Sequence, residues 1–173
     1  ANGASFGKET YLRWFKEMIL MRRFEEKVGQ LYTMQKFGGF CHLYIGQEAI
    51  LAGMITAIGK NDRIITGYRD HAHPLVLGTP AKNVMAELYG RTTGTSKGKG
   101  GSMHYFDKER NLFGGHGIVG GQIGLGAGIA FADQYNGNDS VTLCSMGDGA
   151  VRQGMLHETF NMAMTWKLPV VFI

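Results

Sequence analysis

Gly147-Asp148-Gly149 sets one carboxylate between two residues that have no side chain. The flanking sequence places it. Before it, residues 140–146 (SVTLCSM) read as a short β-branched, apolar strand entered from the turn Asn136-Gly137-Asn138-Asp139. After it, residues 153–165 carry Met155, Leu156, Thr159, Phe160, Ala163 and Met164 on one helical face. Lys167-Leu168-Pro169 stops that helix, and residues 170–173 open a second buried strand, predicted to lie parallel and adjacent to the first through a right-handed crossover. A carboxylate at the carboxyl end of a strand and near a helix start can hold metal and phosphate together. Bare backbone N–H groups suit the anion, and Asp148 suits a hard cation. Taken alone, the tripeptide is equally a tight turn with a capping aspartate.

Other local patterns suggest chemistries that their spacing excludes. Residues 94–100 (GTSKGKG) look like a phosphate-binding P-loop, but three residues separate the first glycines where that motif needs four. Gly100 also stands where a Mg²⁺-binding hydroxyl belongs, and a helix precedes the segment instead of a strand. Gly124-Leu125-Gly126-Ala127-Gly128 lacks the spacing and the preceding strand of a dinucleotide fingerprint. His71 and His73, with His42, His104 and His116, offer zinc ligands, yet no HExxH or cysteine partner joins them. Separate histidines in polar pockets are the better reading. The letters GxSxG occur at residues 94–98 (GTSKG), but after a helix and not on the strand-to-helix turn of a nucleophile elbow.

These residues need elements to position them. Residues 8–32 form an amphipathic helix, with Tyr11, Trp14, Phe15, Met18, Met21, Phe24, Val28 and Leu31 recurring at three or four. Residues 47–58 are nearly all apolar or small, which predicts a buried helix ending at Gly59. Residues 62–66 are a short strand, so Tyr68 and Arg69 follow it at the edge where α/β sheets bind ligands. Thr79 is a cap, with Pro80 at the first helical position and Gly90 at that helix's end. Residues 91–120 are glycine-rich with little periodicity, and loops of that length are functional or disordered. Residues 121–135 are a helix whose Gly124 and Gly128 permit close packing.

At 173 residues the chain is one domain's worth and long enough to bury a core. Its 27 glycines have no collagen period, so they point to backbone approach to a ligand or to tight helix packing. Cys41 and Cys144 make no metal spacing, and a reducing compartment is the plain reading. A net charge of +4 from scattered Lys and Arg gives no case for nucleic acid. Neither a membrane-length apolar run nor a signal-peptide pattern appears. Residues 1–4 carry no structural signal.

The motifs together resemble the α subunits of the heterotetrameric 2-oxo-acid dehydrogenases, the pyruvate branch above the others. The resemblance runs from about Tyr11 to Ile173 and is specific. Its carriers are residues 40–49 (FCHLYIGQEA), Tyr68-Arg69-Asp70-His71, residues 98–104 (GKGGSMH), residues 114–120 (GGHGIVG), and Gly147-Asp148-Gly149 with Asn161 and Trp166-Lys167-Leu168-Pro169. It implies an α/β thiamin diphosphate-binding fold: a parallel sheet flanked by helices and preceded by N-terminal helices, in a single domain expected to be incomplete at its C-terminal side. The implied cofactors are thiamin diphosphate and Mg²⁺. Asp148 is then a metal ligand, with Gly149 and Ala150 lending backbone to the diphosphate. Tyr68 and Arg69 reach the same cofactor, Arg69 as a bidentate phosphate clamp; a salt bridge near Asp70 is its plainer alternative. Gly117 and Val119 meet the aminopyrimidine through main chain. His42 matches the family's active-site histidine, a proton donor or substrate-carboxylate contact. A satisfied structural histidine is nearly as good a reading of it. Gln122 and residues 102–104 line the channel or an interface, without assigned chemistry.

By the same resemblance, the reaction is oxidative decarboxylation of a 2-oxo acid, with acyl transfer to the lipoyl group of an acyltransferase component. Pyruvate is favoured over branched-chain 2-oxo acids, and acetoin dehydrogenase α subunits share most of the motifs. A non-catalytic fragment retaining the fold is the alternative from another class. The partner is a β subunit in an α₂β₂ heterotetramer, in the cytoplasm of a bacterium or the mitochondrial matrix of a eukaryote. The Asn-Asn half of the thiamin motif, which supplies the second metal ligand, does not occur within the sequence. Nor does the glutamate that promotes the imino tautomer, which the family takes from β. The chain is thus expected to supply half an active site, to be inactive alone, and to expose a sheet edge. Low apolar content makes residues 91–115 an expected mobile loop.

Overall fold

The computed structural model describes residues 6–173. Along the chain come α1 (Lys8–Thr33), α2 (Glu48–Ala57), β1 (Arg63–Gly67), α3 (Ala72–Val76), α4 (Ala81–Leu88), β2 (Leu112–His116), α5 (Gly121–Tyr135), β3 (Thr142–Cys144), α6 (Gly154–Trp166) and β4 (Val170–Phe172). Short 3-10 turns at Lys108–Arg110 and Ala150–Arg152 precede β2 and α6. All strand pairs are parallel, in the order β2-β1-β3-β4. Strands β3 and β4 are adjacent and joined through α6, as the sequence predicts.

A parallel sheet must be covered on both faces. Ile64, Leu112 and Leu143 turn to one face, where Met21, Leu51, Ala52, Met54 and Ala72 complete a core with α1, α2 and α3. On the other face lies α5. A Cβ on Gly126 would come within 3.0 Å of the Cys144 Sγ and 3.2 Å of the Ile65 Cγ2, so this glycine lets the helix rest on the sheet. The Gly124/Gly128 pair does less than its spacing suggests. A Cβ on Gly124 would meet the Met155 Sδ of α6 at 3.2 Å, but Gly128 borders open space.

Other expectations are revised. Tyr11 and Phe15 of α1 are more than half exposed, whereas Glu25, a charged residue, is buried beside Met21, Phe24 and Val28. Pro80 occupies the N-cap of α4, and the Thr79 hydroxyl donates to the Asp107 Oδ2 at 2.6 Å instead of capping the helix. Helix α3 is too short to show a period. Strand β2 (LFGGH) hides behind two glycines.

The glycine-rich stretch is anchored. Glu87 of α4 is fully buried, and its carboxylate accepts the N–H groups of Ser96 (2.8 Å), Gly98 (2.9 Å) and Gly100 (2.7 Å). The segment that imitates a phosphate loop wraps its donors round a carboxylate of its own chain. Gly98 has φ +76°, and a side chain there would run into the backbone of Gly90. Further on, Tyr105 is fully buried and donates its hydroxyl to the Val84 carbonyl at 3.0 Å. Low apolar content suggests a mobile loop; the Glu87 anchor is what composition does not show.

At the amino end of the sheet, Arg63 of β1 bonds both oxygens of Asp133 in α5 at 3.0 and 3.2 Å, and Asn111 at 2.6 Å. Asn138 and Ser140 also donate to Asp133, at 2.8 and 2.7 Å. One carboxylate thereby joins α5, β1 and the entry to β3.

Two predictions follow from these carboxylates. Glu87→Gln turns an amide donor toward N–H groups and should cost about 3 kcal/mol in urea unfolding. It should also speed amide exchange at Ser96, Gly98 and Gly100; a loss below about 0.5 kcal/mol would remove the anchor from the account. The Arg63 hydrogen bonds hold the Asp133 carboxyl down at about 2. Its stabilisation is therefore present above the unfolded-state pKa of about 3.9 and lost as pH falls toward 2. The unfolding midpoint should drop across that window, and Asp133→Asn should flatten the drop; an unchanged slope would contradict the pairing.

Candidate active site

The chain leaves β1 toward β2 on one side and later returns to β3 on the other. Loops after β1 and β3 therefore part, which opens a crevice at the carboxyl ends of the strands. The cleft there has a volume of about 450 Å³. Thr66 to Arg69 line it from β1, Ser145 to Ala150 from β3, Val119 and Gly120 from the start of α5, and Tyr44 and Gln47 from the segment before α2. Ile50, His73, His116, Gln122 and Ile173 complete the wall.

Of the residues singled out from sequence, Tyr68, Arg69, Val119, Asp148, Gly149 and Ala150 meet in this one cleft. A Cβ on Gly149 would stand 3.5 Å from the Val119 Cγ1, so the two loops touch. His42 and Gly117 are beside the wall and not on it. The His42 ring lies 4.5 Å from that of Tyr68, and a Cβ on Gly117 would lie 3.5 Å from the His104 ring.

Arg69 decides the electrostatics. Its guanidinium donates to the Leu43 carbonyl and lies 5.9 Å from the centre of the Tyr68 ring. Among the described residues it forms no ion pair. The salt bridge near Asp70 is not made. Asp70 is fully buried, accepts the Tyr105 N–H at 2.9 Å, and burial pushes its carboxyl well above the usual range. A cation without a counter-charge at the mouth of a crevice calls for an anion. Asp148, exposed on the facing loop, could supply one hard ligand for a cation that accompanies such an anion. The described residues hold no cluster of three or more His, Cys, Asp or Glu that could hold a metal ion.

Burial, then the charge of Arg69, lowers the pKa of His42, which favours a neutral ring at pH 7. His71 and His73 do not share a site. His71 lies between Glu25 and Ser102, while His73, pulled down to about 4 by burial, packs edge-on against Tyr44 at 5.4 Å. Gln122 donates to the Ser145 carbonyl at 3.1 Å, and its Oε1 has no partner among the described residues. Tyr44, Gln47 and His73 were missed as wall residues, because single residues before or inside short helices carry no spacing signal. No described helix is long and apolar enough to cross a membrane.

Residues 16–173 match the family model of the dehydrogenase E1 component. The chain is similar to pyruvate dehydrogenase E1 component subunit alpha of Rhizobium meliloti (strain 1021), with 61% identity over 170 residues, 98% of this chain and 49% of the relative. The same-named protein of Rickettsia felis is 58% identical over 166 residues, covering 96% and 51%. The mitochondrial one of Dictyostelium discoideum is 54% identical over 166, covering 96% and 44%. This chain spans about half the length of the curated relatives it matches. The family match over most of the chain, on a parallel sheet with its cleft at the switch point, makes it a member of the dehydrogenase E1 component family, with a thiamin diphosphate-type fold.

Proposed function

We propose that this chain is the α subunit of a pyruvate dehydrogenase, contributing to thiamin diphosphate-dependent oxidative decarboxylation and acyl transfer to a lipoyl-bearing acyltransferase component. The observation that carries the reading is Arg69, a cation without a carboxylate partner among the described residues, in one cleft with Asp148 and side-chain-free backbone. That donor set fits a diphosphate with its Mg²⁺: one planar cation for phosphate oxygens, one carboxylate for the metal, and room for main chain to approach. The names of the relatives favour pyruvate over branched-chain 2-oxo acids or acetoin.

Bound thiamin diphosphate would supply the carbanion chemistry. The chain's own residues bind and orient. Arg69 and Tyr68 hold the diphosphate, Asp148 takes the metal, and Gly149 and Ala150 offer backbone. Gly117 and Val119 present main chain to the aminopyrimidine. His42, kept neutral, donates its one ring N–H where the substrate carboxylate arrives. A β subunit completes the site in an α₂β₂ assembly and supplies the glutamate that this chain's motifs do not.

The test is calorimetric titration of the full-length chain, assembled with β, with thiamin diphosphate and Mg²⁺. Asp148→Ala should abolish the metal-dependent part of binding. Arg69→Ala should weaken it by roughly tenfold to a hundredfold, the worth of a charged hydrogen-bonding group. Unchanged affinity in both variants would move the cofactor out of this cleft, and turnover of acetoin in place of pyruvate would change the substrate.

A further inference from the structure

Residues 68–71, which follow β1, grip the segment that carries His42 at three points. The Tyr68 ring is tilted against the His42 ring, and Arg69 donates to the Leu43 carbonyl. The third point runs through Ser102: its Oγ accepts the His42 N–H at 3.0 Å and lies 2.7 Å from the His71 Nε2. Behind His71, the Glu25 Oε2 of α1 is 3.0 Å from Nδ1.

Carboxylate, imidazole and hydroxyl stand in the order of a hydrolase relay. This one cannot attack a substrate. Glu25, His71 and Ser102 are 1%, 0% and 6% exposed, and none reaches the cleft. The hydrogen bonds instead run inward in one direction. With the proton on the His71 nitrogen that faces Glu25, Nε2 accepts the Ser102 hydroxyl proton, and the Ser102 oxygen is left to accept from His42. Such a chain is costly in a core, since the Glu25 Oε1 is buried without a partner among the described residues. Apolar side chains would pack there at lower cost, but they could not fix a main-chain N–H.

The segment needs fixing from outside. Between α1 and α2 it has no regular structure beyond turns, and Gly39 and Gly46, at φ +86° and +99°, flank it with the freest backbone. We propose that Glu25, His71 and Ser102 are positioning residues whose buried hydrogen-bond chain places the His42 main chain, and so its imidazole, beside the cleft. This rests on the reading of His42 as the group that meets the substrate. The relay acts through Ser102 alone at its working end, so removing that hydroxyl should mimic loss of the whole chain at His42.

The experiment uses the full-length chain assembled with β, as wild type, Ser102→Ala, His42→Ala and the double variant. Ser102→Ala should raise the KM for pyruvate about tenfold, with thiamin diphosphate affinity unchanged within about twofold. In the His42→Ala background it should have little further effect, because the relay works through His42. Equal losses in both backgrounds would overturn the proposal. A readout independent of turnover is the His42 amide resonance in ¹⁵N-histidine-labelled protein. It should move in Ser102→Ala and in Glu25→Gln while that of His157 on α6 stays. An unmoved His42 amide would overturn the relay. If the wild-type assembly turns over no 2-oxo acid, the functional reading fails and the amide signal alone decides the positioning role.

Discussion

Strand β1 is held from every side, and the geometry of the site follows from that confinement. Ile64 is buried against α1 and α2, Ile65 against α5, while β2 and β3 take the hydrogen bonds along both edges. A strand so enclosed cannot slide in register without turning Ile64 and Ile65 to the wrong faces. Its exit at Gly67 is therefore fixed relative to the exit of β3, and the two loops that carry Arg69 and Asp148 start from fixed points.

Buried carboxylates order what the sheet does not reach. Glu87 gathers three N–H groups of a segment with no regular structure, Asp70 takes the Tyr105 N–H, and Glu25 braces His71. Each sets protein donors in place of water on a buried carboxylate, although the Glu25 Oε1 and the Asp70 Oδ1 have no partner among the described residues. Ordering irregular chain costs about 1–2 kcal/mol per residue. A glycine-rich segment has few side chains to offset that, so directional acceptors take over the work of an apolar core.

Periodic elements were legible in the sequence. Helix α5 and the β3–α6–β4 unit stand where apolar spacing and stop signals put them, and the cleft gathers six of the eight residues singled out for it. What escaped was short or polar. Helix α3 has under two turns, β2 carries two glycines in five residues, and Glu25 looks like one more charge on an amphipathic helix. Glu25 and Glu87 bond to residues far along the chain or without period, and such partners exist only after folding. Motif reading named Arg69 and Asp148. It could not say that Arg69 would be left without a carboxylate among the described residues.

That guanidinium rests on a carbonyl oxygen, a dipole and not a counter-ion. On the proposed reading, an arriving polyanion would displace no ion pair formed among the described residues, so little of its binding energy would be spent on rearranging the receptor. Ionic strength then acts through the bare attraction between one fixed charge and the incoming phosphates, screened over about 8 Å at physiological salt. On the proposed reading, capture of the anion would be set by Coulomb steering toward Arg69, and Leu43 links that guanidinium to the backbone that carries His42.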